Sequence, residues 1–596
     1  MTRQPIRTQR GAGYALWGLL LLLATAGAGA AEQAAHVPVE EFELDNGMKF
    51  LLVQRPDQTT VNAAWVAKVG SANERPGITG ISHFFEHMMF KGTHTIGTTD
   101  SKRDLEIIRE QEAIQEQIRA IYRQQRERWR LGEISDPFSD EQRPPELVAL
   151  QERFQQLVQE EKKLMVKEEY DKIYTEAGAT NSNATTNEDM TVYFISVPAN
   201  KLELWFWMES DRLSNPVFRE FYPERDVVYE ERRLRTESTP TGRFDEQFDA
   251  MFWQSHPYGW PVVGWPSDLE VYTLAQAEDY FNTYYAPNNI TMVLVGNFDP
   301  EEVKQQAKRY FGRIPRGKVP PPDVVTLEIP QQAEMRMSAE CDCQPQVEVR
   351  YHAVPFRHKD GYALQVLAGL LNGRTGRLYK SMVVDQGIAS DVFAGPRAMK
   401  WAGYFFFSAE AKGDATPEQL EQAWYAELRR IQEEPIPAEE LQKVKNGIAA
   451  NAYRRLENPF FLMFQLAFYE GFGDWEYLNY GTEKTLAVTA EDVQRVARAY
   501  FAPENRAVAT YYRKEGSQPE DPEIAALPEQ LRQMAKVQLQ QIRQVNDPEQ
   551  LETGLNQLNA QKAGAPPQVQ PLFPLIEKAI RQRLEELRAA AKGGDE

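Results

Sequence analysis

Cysteine is almost absent: the 596 residues hold two, Cys341 and Cys343. No disulfide framework can be built from them, so stability must come from a large buried core. A C-x-C pair could supply two zinc thiolates, but no second Cys/His pair stands beside it. The spacing instead predicts two thiols on one face of a strand. Positive charge is also short, 67 Lys and Arg against 87 Asp and Glu, a net −20. That disfavours nucleic acid and anionic membrane surfaces, which need a concentrated cationic face. It agrees with basic or neutral peptide substrates. Only one long apolar run occurs, ALWGLLLLLATAGAG, after Arg3, Arg7 and Arg10 and ending at Ala28-Gly29-Ala30. Residues 1–30 therefore read as a secretory signal peptide. The run is short for a retained anchor, and no cysteine follows it to carry a lipid. After cleavage the net charge becomes −23, since three arginines leave with the leader. The expected location is an export compartment, the periplasm, with no stable membrane span.

Histidine is scarce too, seven in all, and this makes the cluster His83-Phe84-Phe85-Glu86-His87 informative. Two histidines four apart on a helix project from one face, so both imidazoles reach one metal ion. Glu86 shares that face and can reach a water at the metal. The pattern is the H-x-x-E-H zinc arrangement, the reverse of H-E-x-x-H. A catalytic zinc needs a third protein ligand and keeps a position for water. PERDVVYEERRLR (223–235) offers Glu224, Glu230 and Glu231. On a helix Glu224 and Glu231 share a face and Glu230 points about 100° away from Glu231. Spacing alone leaves the three open. His94 falls beyond the turn after His87, and His256 sits in an aromatic loop where a structural role is expected.

The chain is long enough for two or more domains, and it carries an internal duplication. LAQAEDYFNTYYAPNNITMVLVG (274–296) is similar to VTAEDVQRVARAYFAPENRAVATYY (488–512), each with an asparagine, Asn289 or Asn505, two positions after an Ala-Pro pair. A repeat about two hundred residues apart indicates two homologous domains rather than a solenoid. Proline-rich RIPRGKVPPPDVVTLEIP (313–330) marks the boundary. The predicted organisation is a zinc-bearing domain over 37–312, a linker over 313–340, a homologous domain without zinc ligands over 341–514 and a helical tail over 515–596. The fold class is α+β, each domain a mainly antiparallel sheet with helices on one side. Asp45-Asn46-Gly47 reads as a hairpin turn. Residues 101–172 read as an inserted helical hairpin, with Ile107, Ile114, Ile118 and Ile121 facing Leu147, Leu150, Phe154, Leu157 and Leu164. It is expected to be a packed surface hairpin, a partner-docking arm being the sharper alternative. GLLNGRTGRL (369–378) lacks the Gly-Lys-Ser/Thr ending of a phosphate loop.

GSANERPGITGISHFFEHMMFKGT (70–93) resembles the zinc helix of the pitrilysin/insulinase peptidases, the inverzincins that include mitochondrial processing peptidase. ERDVVYEE (224–231) is similar to that family's E-R-x-x-V-x-x-E segment, and HPYGWPVVG (256–264) also fits. The resemblance covers about residues 40 to 512. It implies Glu231 as third zinc ligand, Glu224 as an auxiliary acid and one Zn²⁺ per chain. It also implies that NATTNEDMTVYF (183–194) is a substrate-pairing edge strand, with contacts at Asn183 and Ala184. The implied activity is zinc endopeptidase action on peptides or unfolded polypeptide, Glu86 serving as general base. In the second half, TGRLYKSMVVDQGIASDV (375–392) retains the family-like substrate-gripping Arg377 but has Ser390 where the family pattern has tyrosine. That departure implies a weakened clamp and a heterodimer with a homologous non-zinc subunit, or a homo-oligomer. Two alternatives are a non-cleaving peptide-binding or assembly subunit and a structural metal site. The intact general base argues against the first, and the missing fourth Cys/His ligand against the second.

Overall fold

The computed structural model describes residues 36–139, 142–514, 522–525, 527, 529–545, 547–562 and 569–592. The signal peptide expected over 1–30 lies outside them. Among the described residues no helix is long and apolar enough to cross a membrane.

Two sheets form the framework. The first has six strands, β1 (Glu40–Glu43), β2 (Lys49–Gln54), β3 (Thr60–Ala67), β4 (Thr180–Thr186), β5 (Thr191–Pro198) and β6 (Ile290–Gly296), in the order β1-β2-β6-β3-β5-β4. The second has five, β7 (Met335–Cys341), β8 (Gln346–Ala353), β9 (Ala389–Ala398), β10 (Gly403–Ala411) and β11 (Arg506–Arg513), in the order β7-β11-β8-β10-β9. Without β1, the two orders coincide strand for strand. Each is antiparallel except for one parallel pair, β2 with β6 and β7 with β11. The duplicated asparagines do the same work in both halves. The Asn289 side-chain amide donates to the Tyr284 carbonyl at 2.8 Å, and that of Asn505 to the Tyr500 carbonyl at 2.8 Å, tying each helix end to the strand that follows.

The turn at 45–47 joins β1 to β2 as a hairpin, with Glu43 opposite Lys49. Two expectations fail. β7 begins at Met335, inside the span read as linker, because Met335, Met337 and Ala339 alternate with exposed neighbours and pair in register with β11. Cys341 and Cys343 are joined to each other rather than lining a strand face, since β7 ends at Cys341. The bridge spans a sequence separation of two and so staples nothing distant.

The insert is a hairpin of helices Ser101–Arg130 and Pro145–Leu164. Ile107, Ile114, Ile118 and Ile121 are buried against Leu147, Phe154 and Leu157, with Leu150 and Leu164 partly covered. The arms join the same core as the N-terminal half. In the C-terminal stretch, helices Glu529–Gln544, Pro548–Lys562 and Leu572–Lys592 gather around a core of their own that includes Leu531, Leu551, Ile576 and Ile580.

Each half lends a helix to the other's sheet. Helix Pro459–Phe472 lays Leu462, Met463 and Leu466 on Val66, Val293 and Val295 of the first sheet. Its Glu470, buried, accepts from Lys68 at 2.7 Å and pairs with Lys49 at 3.2 Å. Helix Gly242–Phe252 in turn lays Phe248 and Phe252 on Tyr404, Ala507 and Ala509 of the second sheet. Both sheets are thus covered on two faces.

Asp189 links the halves at one buried point. It accepts from the Tyr258 hydroxyl at 2.6 Å and from the Lys400 backbone N–H at 3.0 Å. Burial pushes its carboxyl up to about 6, against an ordinary 3.8. The folded state holds this proton more tightly than the unfolded chain does. Its contribution to stability is therefore fullest below about pH 4 and falls as the pH rises through about 6. Compared with Asp189→Asn, the wild-type chain should lose up to about 3 kcal/mol of relative stability across that window. Urea unfolding of both proteins at pH 4 and pH 6 reads the difference, and a constant difference would contradict it.

Candidate metal centre

The metal helix is Ile81–Met88. Its first turn needs partners for its free N–H groups, and these come from outside. The buried Glu74 accepts from Gly80 N–H at 2.6 Å and Ser82 N–H at 2.8 Å. Gly80 has φ +89°, and a Cβ there would meet the Val263 carbonyl oxygen at 2.4 Å, so only glycine fits. Asp268 secures the preceding turn through Gly77, Thr79 and the Thr79 hydroxyl.

His83, His87 and Glu231 offer donor atoms within 4.8 Å of one another. His83 Nε2 faces Glu231 Oε1 at 3.6 Å, and His87 Nε2 faces Glu231 Oε2 at 3.3 Å. Glu231 arrives from helix Phe221–Arg232, which crosses the metal helix. Of the three glutamates left open by spacing, Glu230 is solvent-facing and paired with Arg233 at 2.7 Å. Glu224 stands behind His87, its Oε1 2.9 Å from Nδ1, where it fixes the ring so that Nε2 points toward Glu231. Lys91 Nζ anchors Glu224 at 2.5 Å and Glu220 at 3.1 Å. Two imidazoles and a carboxylate, with a carboxylate behind one imidazole, are the donor set of a catalytic zinc. The residues present fit that ion.

The two histidines differ electrically. Burial holds His83 neutral, pulling it down to about 4. Burial works on His87 in the same sense, but Glu224 and Glu231 overcome it and raise His87 to about 9. Metal uptake at neutral pH must therefore displace a proton from His87. Glu231 is held below the ordinary carboxylate range, chiefly by its hydrogen bond with His87. Glu86 moves the other way: burial raises it, against a 2.6 Å hydrogen bond from the Thr186 hydroxyl. A raised carboxyl suits a group that must take and return a proton.

The centre opens on a cavity of ≈ 790 Å³ lined by Glu86, His87, Phe90, Asn183 and Glu224, with Phe154, Val158 and Met165 of the insert as its far wall. β4 ends the sheet, so among the described residues its outer edge is unpaired, and residues 180–183 are exposed. Asn183 accepts the N–H of Ala184 at 2.8 Å through its own side chain. Arg377 is differently placed than expected for a substrate grip. Its guanidinium forms a two-pronged pair with Glu440 at 2.9 and 2.7 Å, with Glu427 at 3.6 Å, so its fork is taken up within its own half. The Ser390 hydroxyl donates to the Glu410 carbonyl. His256 accepts the Tyr258 N–H at 3.2 Å, the structural role expected of it. Thr186, Lys91 and Glu74 were not singled out from sequence. All three lie inside the motif segments, but nothing in their spacing marks them.

Comparison with known proteins adds to this geometry. Residues 49–127 match the family model described as "Insulinase (Peptidase family M16)", and residues 272–448 match "Peptidase M16 inactive domain". The chain belongs to the insulinase/pitrilysin family. His83, Glu86 and His87 fall in the first match; the second begins ahead of β6 in the first half and ends before β11 of the second; Glu224 and Glu231 lie between the two matches. Among family relatives, "Zinc protease PqqE" of Helicobacter pylori is 26% identical over 491 residues, 81% of this chain and 94% of that one. "Uncharacterized zinc protease YmxG" of Bacillus subtilis is 21% identical over 427 residues, 70% and 85% of the two chains. Similar solved folds include a protease from Helicobacter pylori, with TM-score 0.65, 24% identity, 80% of this chain and 100% of that one. Pitrilysin itself gives TM-score 0.58 at 17% identity, with 80% of this chain aligned to 45% of that one.

Proposed function

We propose that the chain is an exported zinc metalloendopeptidase that cleaves peptides or unfolded polypeptide segments. The observation that carries this is the convergence of His83, His87 and Glu231 within 4.8 Å, with the half-buried Glu86 beside them on an open cavity. A closed structural site has no use for an adjacent raised carboxyl or an open approach.

His83, His87 and Glu231 would hold the ion. Zinc there supplies a Lewis acid that lowers the pKa of its water and polarises the scissile carbonyl. Glu86 takes a proton as water oxygen bonds to the carbonyl carbon, then delivers it to the amide nitrogen as the C–N bond breaks. Glu224 keeps His87 oriented throughout, and Thr186 keeps Glu86 aimed. Substrate adds to the free edge of β4 as a further strand, so backbone hydrogen bonds provide affinity with little sequence demand. Such pairing requires an extended chain, which folded proteins do not offer.

The engaged Arg377 and the serine at 390 leave the second half without a free grip. Val227 and Leu234, on and just after the Glu231 helix, are 50% and 70% exposed. Both features support a homologous non-zinc subunit closing the site. The leader-like residues 1–30 support export to the periplasm.

The test is metal content and hydrolysis together. One zinc per chain and cleavage of a quenched, unstructured peptide, lost to a chelator and restored by zinc, are expected. Full zinc occupancy with no cleavage, alone or with a homologous partner chain, would instead establish a binding subunit.

A further inference from the structure

The inserted hairpin is bonded to the segment that opens the Glu231 helix. Glu161, on its second arm, is 1% exposed. One carboxylate oxygen accepts the Glu220 backbone N–H at 3.1 Å, and the other accepts Gln111 Nε2 from the first arm at 2.7 Å. Glu220 has φ +52°, a left-handed conformation that a non-glycine residue holds only when its surroundings fix it. From Glu220 the contacts continue inward without a gap. Its carboxylate takes Lys91 at 3.1 Å, Lys91 takes Glu224 at 2.5 Å, and Glu224 meets His87 Nδ1 at 2.9 Å. A second tie runs alongside, where Arg119 of the first arm donates to the Tyr222 hydroxyl at 3.1 Å.

We propose that the hairpin is part of the metal-site scaffold. Glu161 is a positioning residue that sets helix 221–232, and with it Glu224 and Glu231, against His83 and His87. The inference rests on the reading that these residues hold zinc. A docking arm would need no buried carboxylate at its base. A hairpin that merely covered core would bond to its neighbours' side chains anywhere along its length, not to the one backbone N–H where the ligand helix begins.

The experiment compares Glu161→Ala and Glu161→Gln with wild type. Zinc affinity is measured by competition with a chromophoric chelator, well below each protein's Tm, and kcat and KM are measured on a peptide. The glutamine oxygen can still accept the Glu220 N–H, and Gln111 can turn its amide to suit. E161Q should therefore stay within about threefold of wild type. E161A should lose zinc affinity by about 10–100-fold, as removal of a group supporting a ligand does, and kcat should fall with KM nearly unchanged. An E161A chain whose Tm drops while its zinc affinity stays at the wild-type value overturns the proposal. Should E161A fail to fold, Gln111→Ala, which frees Glu161 from the first arm, carries the same test with a smaller expected loss. The affinity readout needs no peptide. A wild-type chain that binds zinc but cleaves nothing, alone or with a homologous partner chain, would refute the peptidase reading and leave this one to be decided on its own numbers.

Discussion

Glu86→Gln is expected to leave the zinc in place and reduce kcat by about 10²–10⁴-fold, the range a positioned general base contributes. The substitution keeps the shape of the side chain and its contact with Thr186, which holds the carboxylate at 2.6 Å. It removes only the ability to take a proton. The two glutamates nearest the candidate ligands are already committed. Glu224 is engaged by His87 and Lys91, and Glu231 faces both histidines as the candidate third ligand. Metal analysis and single-turnover kinetics on the same preparation separate the two effects. Turnover within tenfold of wild type would mean another group moves the proton. Loss of zinc would mean Glu86 helps hold the site rather than act in it.

The second large effect lies away from the chemistry. Asp104, in the first turn of the insert, pairs with Arg219 at 2.6 Å, and both side chains are fully buried. Arg219 also donates to the carbonyls of Thr93, Ile96 and Lys91, the loop that leaves the metal helix. Replacing Asp104 with alanine leaves the guanidinium buried without its counter-charge, which costs about 3–5 kcal/mol. Replacing both partners, Asp104→Leu with Arg219→Met, should cost less than the single change, because no charge is then stranded. Urea midpoints of the three proteins check this. A loss below about 1 kcal/mol for Asp104→Ala would show that water reaches the arginine.

Much of the metal site was legible because its residue types are rare and its spacing is helical. His83, Glu86 and His87 need only one turn of one helix to meet. Glu231 was not legible in that way: helical geometry separates Glu230 from it but gives no reason to prefer it over Glu224, and only the family resemblance distinguished them. The structure supplies the physical difference, one carboxylate facing two Nε2 atoms and the other facing Nδ1. Arg377 shows the converse. A motif can preserve a residue type while its local partners, here Glu440 and Glu427, engage it elsewhere. The duplicated sheet was visible in its helix–Ala-Pro–strand repeat. β7 was missed because a proline-rich approach hid a strand whose pairing partner lies about 170 residues away. The anchoring of the insert was also invisible, since Glu161 and Asp104 read as ordinary polar positions on amphipathic arms.

The exchanged helices bear on how a substrate gets in. Helix 459–472 is wedged onto the first sheet and helix 242–252 onto the second, each against apolar strand residues. Swinging the two halves apart like a clamshell would strip both faces at once and expose Phe248, Phe252, Leu462 and Leu466 to water, at about 1.5–3 kcal/mol for each large side chain. The packing therefore opposes such an opening and favours the two halves moving as one jaw. Admission to the zinc must be governed by whatever approaches that jaw from outside, and by the free edge of β4 that receives it.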